Sequence, residues 1–157
     1  MEAKFGKILH LGIVVRDLKR AVEIYENELG IGPWEVEDPR PFFADKRVND
    51  GCGLNIHTAI CRSGGYEIEL VMPVGPGIYQ DWLDQRGPGL HHIKLETKES
   101  YGEIVRMGER VAADSHYLDV CWPDGKPLVS YISMLEETGL ILEYGPEQSG
   151  QCAEENA

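Results

Sequence analysis

The sequence predicts an α+β fold in which two tandem βαβββ modules form a curved, roughly eight-stranded, cup-shaped sheet with helices outside. Three observations predict it. An apolar run followed by a helical period begins at residue 8, the same programme restarts at residue 90, and a histidine stands in the opening strand of each half, His10 before an Asp17 cap and His92 before a Ser100 cap. One such unit leaves a sheet face uncovered, and pairing two of them covers it, which leaves a concave side as the place for a site.

Residues 8–15 are dense in Val, Ile and Leu, as in a strand buried on both faces. At Asp17 the period changes: Leu18, Ala21, Val22, Tyr25 and Leu29 recur at helical spacing, with Asp17 as N-cap and Gly30 as the stop. Strand candidates at 34–36, 54–61 and 66–72 complete a first module over residues 8–72. A polar loop around Pro39 and Pro41 precedes the second of these strands, and Ser63-Gly64-Gly65 turns between the last two. Residues 73–89 carry three prolines and four glycines around Ile78, Trp82 and Leu83, which suits a linker holding a one- or two-turn helix. The second module, 90–145, reads as a strand at 90–96, a helix opened by Ser100 with Glu103 in capping-box spacing, and strands at 116–120, 128–134 and 139–144. The tail, 146–157, is polar and acidic and is expected to be loose.

Composition narrows the function classes. A chain of 157 residues, 42% of them apolar, buries a core without disulfides or a structural metal, so any metal would be there for chemistry. Lys plus Arg is 15 against 27 Asp plus Glu, and a net charge of −12 opposes nucleic acid and anionic membrane as partners. No run of about 18 apolar residues crosses a bilayer, and Met1 leads into no signal-peptide core. Cys52, Cys61, Cys121 and Cys152 form no C-x-x-C pair and read as reduced thiols. The expectation is a cytoplasmic protein acting on a small molecule.

Side chains alternate across a strand, so candidate ligands can be tested by parity. His10 shares a face with Gly12 and Val14, opposite the greasier Leu9, Leu11 and Ile13; His92 shares one with Lys94 and Glu96, while His91 sides with Ile93 and Leu95. Near the end of each half a carboxylate interrupts an apolar strand, Glu69 in the first and Glu143 in the second. A lone buried carboxylate is costly without a cation to answer it. Two imidazoles and two carboxylates suffice for a divalent ion with open positions. His57, His116, Trp34, Tyr66 and Trp82 read as structural or packing residues.

His10-Leu-Gly-Ile-Val-Val-Arg-Asp-Leu18, Glu67-Ile-Glu-Leu-Val-Met-Pro73, Gly89-Leu-His-His-Ile93 and Gly139-Leu-Ile-Leu-Glu143 together resemble the glyoxalase superfamily, also called vicinal oxygen chelate proteins, over about residues 8–145. Within it, Gly89-Leu-His-His-Ile93 after a Trp-Leu linker helix is most similar to methylmalonyl-CoA epimerases. The resemblance implies metal ligands at His10, Glu69, His92 and Glu143, a divalent ion such as Zn, Co, Ni or Mn, and a homodimer. It also implies an isomerase or epimerase working through an enolate on an acyl-CoA thioester, with Glu143 and Asp50 as opposed acid/base groups. Epimerases of this kind carry a carboxylate in the loop before the third strand; here Arg47-Val-Asn-Asp50-Gly-Cys52 holds no glutamate, and Asp50 is the nearest acid. Glu67 and Lys94 compete for that role. Glu69 also departs from the glutamine common in epimerases and supports a lactoylglutathione lyase as the alternative. A non-catalytic small-molecule-binding member is the remaining reading. Capture of an anionic CoA ester would need a local basic patch, to which Lys94, Arg86 and Lys126 are candidate contributors.

Overall fold

Alternation in the opening strand persists in the folded chain: in β1 (Phe5–Val14), His10, Gly12 and Val14 are buried while Leu9, Leu11 and Ile13 are half-buried. The structure, a computed structural model, describes residues 1–145; Cys152 and the tail expected over 146–157 lie outside the described residues. It is a mixed α+β fold with nine strands and five helices among the described residues. They divide into two compact units, one built on 10–45 and 50–91, the other on 1–9, 46–49 and the chain from residue 92 on.

The unit that begins at His10 contains the second half of β1, α1 (Leu18–Asn27), β2 (Glu35–Glu37), α2 (Arg40–Phe43), β4 (Ile56–Cys61), β5 (Ile68–Pro73) and α3 (Ile78–Arg86), with strand order β2-β4-β5-β1. Asp17 caps α1 as expected, its Oδ1 accepting from the Arg20 N–H at 2.9 Å. The apolar stripe then packs on the sheet: Leu18, Ala59 and Leu70 are buried together, with Ile13, Val15, Ala21, Val22 and Tyr25 around them. Burial of that stripe, more than helix propensity, holds a ten-residue helix in place.

The unit containing His92 holds β3 (Arg47–Val48), most of β6 (Gly89–Thr97), α4 (Tyr101–Val111), β7 (His116–Cys121), β8 (Pro127–Met134), α5 (Leu135–Thr138) and β9 (Leu140–Tyr144), with strand order β6-β9-β8-β7-β3. Ser100 caps α4 by accepting from the Glu103 N–H at 3.3 Å. The Glu103 carboxylate, expected to complete a capping box, instead receives Arg106 at 3.0 Å and Arg110 at 3.2 Å. Ile104 of α4 packs with Ile132, Leu142 and Tyr144. Gly108 lets the helix approach closely, since a Cβ there would collide with Ile132 Cγ2 and stand 2.9 Å from Ser115 Oγ.

Nine strands rather than about eight follow from a segment read as loop. Residues 40–43 form the single turn α2, and Arg47 and Val48 pair with Cys121 and Val120 as the two-residue strand β3. Both pieces are too short to leave a periodicity in the sequence. Likewise α5 sits between β8 and β9, and Gly139, expected within the last strand, is its left-handed cap at φ 75°.

Candidate metal centre

The geometry around His92 follows from strand register. β6 and β9 run parallel with Lys94 opposite Glu143, and β8 runs antiparallel to β9 with Tyr131 opposite Glu143. Register partners share a sheet face, so His92, two residues before Lys94, lies on the face that carries Glu143 and Tyr131. The His92 ring stacks on Tyr131 with centroids 4.7 Å apart and planes 26° from parallel. His92 Nε2 lies 3.4 Å from Glu143 Oε2, the side chains 0% and 9% exposed. That buried carboxylate oxygen is close to the imidazole without the alignment of a hydrogen bond. As parity predicts, His91 turns the other way, its ring 4.9 Å from Tyr79 and 4.8 Å from Trp82 of α3.

The same construction recurs around His10. β1 and β5 run parallel with Gly12 opposite Glu69, so this acid faces the residue two beyond His10, as Glu143 faces the residue two beyond His92. Two residues earlier in register stands Glu67, whose Oε2 is 2.9 Å from His10 Nδ1. Arg62 donates from Nε to Glu67 Oε1 at 2.6 Å and from Nη1 to Glu35 Oε2 at 3.1 Å. The His10 hydrogen bond, outweighing burial and helped by Arg62, holds the Glu67 carboxyl below the usual carboxylate range. Glu67 in turn raises the guanidinium of Arg62. An ionised carboxylate only accepts, so Nδ1 of His10 carries a proton.

Each unit thus presents a buried histidine with an acid in the matching register position, His92 with Glu143 in one and His10 with Glu69 in the other. The donor set fits: imidazole nitrogens and a carboxylate suit a divalent transition ion. Glu69, the fourth residue of the sequence set, is half-buried on β5.

Asp50 holds its own loop. Its Oδ1 accepts from the Cys52 N–H at 2.8 Å and the Gly53 N–H at 3.0 Å, while Oδ2 is buried and makes no hydrogen bond. Lys94 is half-buried in β6. His116 is structural, with Nδ1 3.0 Å from Asp119 Oδ2; Asp119 also accepts from Ser130 at 2.7 Å and Tyr101 at 3.0 Å. Burial raises the Asp119 carboxyl, but hydrogen bonds from His116, Ser130 and Tyr101 outweigh it and leave the group below its ordinary value. His57 lies 3.7 Å from Asp38, and the Trp34 indole N–H donates to the Ile31 carbonyl at 2.8 Å. The contact missed by sequence reasoning is that between Glu67 and His10. A signal for its Arg62 arm was present: Arg62 and Glu67 flank Ser63-Gly64-Gly65, and opposite charges at the foot of a hairpin face each other.

Residues 9–115, more than half of the chain, match the family described as the glyoxalase/bleomycin resistance protein/dioxygenase superfamily. The chain is 23% identical over 139 residues to the uncharacterized protein YqjC of Bacillus subtilis (strain 168), covering 88% of this chain and 90% of that one. Among solved structures it is similar to hypothetical protein BH1468 of Bacillus halodurans C-125, with a TM-score of 0.62 at 22% identity over 88% of this chain and 92% of that one. Two methylmalonyl-CoA epimerases share the fold. That of Mycobacterium tuberculosis gives a TM-score of 0.60 at 20% identity, over 96% of this chain and 97% of its own. A Streptomyces coelicolor variant in complex with 2-nitronate-propionyl-CoA gives 0.59 at 19%, over 88% and 95%.

Proposed function

Since the chain belongs to the glyoxalase/bleomycin resistance protein/dioxygenase superfamily, we propose that it is a divalent-metal-dependent isomerase that epimerises an acyl-CoA thioester next to its carbonyl. The observation that carries this reading is the buried pair of His92 and Glu143, matched in register by His10 and Glu69 in the other unit. In this reading His10, His92 and Glu143 hold the ion, and Glu69, in the register position that matches Glu143, completes the set. When bound, a divalent ion acts as a Lewis acid toward substrate oxygens, which stabilises the enolate character of a deprotonated carbon acid.

The chain's own residues do the rest. Epimerisation needs one group to remove a proton on one face of the carbon and another to return one on the opposite face. Glu143 serves as one, both holding the ion and moving the proton; its Oε2 lies buried 3.4 Å from His92 Nε2. Asp50 serves as the other: Oδ1 is fixed by two backbone N–H groups, and the buried Oδ2 makes no hydrogen bond that a proton would have to displace. The epimerases that share the fold supply the substrate class.

The test is solvent exchange. Metal-loaded protein incubated with methylmalonyl-CoA in deuterated water incorporates deuterium at the α-carbon, followed by NMR, and His92→Ala abolishes this. Absence of exchange with the loaded protein overturns the proposal. The Glu69 carboxylate favours a second reading, a lactoylglutathione lyase, which consumption of methylglyoxal with glutathione in place of exchange would establish.

A further inference from the structure

The two histidines are supported differently, and the support of His10 is charged. We infer that Glu67, clamped by Arg62, is a positioning residue that fixes the His10 imidazole as the Nδ1–H tautomer and aims Nε2 at the metal. This rests on the metal-centre reading above. The geometry is a relay of two short contacts, Arg62 Nε to Glu67 Oε1 at 2.6 Å and Glu67 Oε2 to His10 Nδ1 at 2.9 Å. Each carboxylate oxygen therefore has its own partner, and rotation of the carboxylate would break both bonds. Arg62 is itself tied to Glu35 at 3.1 Å, so the chain of contacts ends on a second strand, β2. The His10 side chain is 8% exposed, which leaves little water to compete for Nδ1.

A carboxylate on the far nitrogen of a ligating histidine orients the ring and raises its basicity, and its loss typically weakens metal binding by about 10- to 100-fold. At the register position matching Glu67 the other unit has Ile141, and at the one matching Arg62 it has Ser133. The device is thus confined to one half of the repeat. Its assignment also separates two acids that strand parity alone treats alike: Glu69 for the ion, Glu67 for the imidazole.

The experiment titrates the full-length protein with Co2+ alone, following the absorption of the bound ion, and in parallel reads the His10 tautomer in metal-free protein by nitrogen-15 NMR. Glu67→Ala is expected to weaken Co2+ binding about 10- to 100-fold and to leave His10 as a mixture of tautomers. Glu67→Gln, with one acceptor oxygen for the two donors His10 and Arg62, is expected to fall between wild type and Glu67→Ala in both readouts. Arg62→Ala weakens binding in the wild-type background and adds nothing to Glu67→Ala. A wild-type His10 without a dominant Nδ1–H tautomer, or a folded Glu67→Ala variant with undiminished affinity, overturns the inference. Wild-type protein that binds no Co2+ yet holds the Nδ1–H tautomer defeats the metal-centre reading while the Glu67–His10 relay stands.

Discussion

His10 and His92 occupy matching places in a duplicated unit, yet their surroundings differ in kind. His92 is held by packing: a stacked tyrosine, full burial and an apolar register neighbour, Ile141. His10 is held by charge, through a carboxylate and a guanidinium that is 58% exposed. Tyr131 has Ile60 as its counterpart opposite Glu69, so neither support is repeated in the other unit. Duplication therefore preserves the backbone position of a histidine and its paired acid, whereas the means of holding the ring is free to diverge.

The largest expected effect treats the two rings as equals. His10→Ala and His92→Ala should each abolish stoichiometric Co2+ binding measured by calorimetry, and retention of one tight ion by either variant breaks the symmetry at its centre. Tyr131→Leu removes only the packed support. It should cost about 2–4 kcal/mol in urea unfolding, because a nearly buried ring leaves a void, and should loosen the metal without eliminating it. Gly108→Ala probes the frame on the same side: despite the gain in helix propensity of about 1 kcal/mol, collision with Ile132 and Ser115 should leave a net loss of about 1–3 kcal/mol.

Acid should act on that frame as well. The folded carboxyl of Asp119 lies below its ordinary value of 3.8, so its contribution is present above about pH 4 and disappears as the pH falls through the lower folded value. Asp119→Asn should flatten the wild-type loss of stability between about pH 5 and pH 2 in denaturant titrations. The smallest effect sharpens the charged side. Raising salt to about 1 M should weaken the partly exposed Arg62–Glu67 contact by less than about 1 kcal/mol, seen as a shift in the His10 tautomer ratio, while the His92 stack is unmoved.

The strand faces on which the candidate residues stand were legible in the sequence because strands enforce a two-residue period. That period separated His92 from His91 and put His10 on the buried face, and the equal placement of Glu69 and Glu143 in register follows from the internal repeat. Parity could not distinguish Glu67 from Glu69, since both project to one side; only the register between β1 and β5 shows which of them meets the ring. The capping box at Ser100 failed in one half because three cationic side chains, from Lys4, Arg106 and Arg110, compete for Glu103. The short pieces α2 and β3 were missed because two to four residues cannot express a period.

The turn at Ser63-Gly64-Gly65 acts as a ruler. Its glycines sit at φ values of 65° and 80°, a geometry that side chains resist, and its length brings Arg62 and Glu67 face to face. Adding a single residue there would slip one side chain past the other and unfasten an imidazole elsewhere in the sheet, with every charged group still present. Loop length in that hairpin is accordingly a heritable dial on how firmly the His10 ring is held.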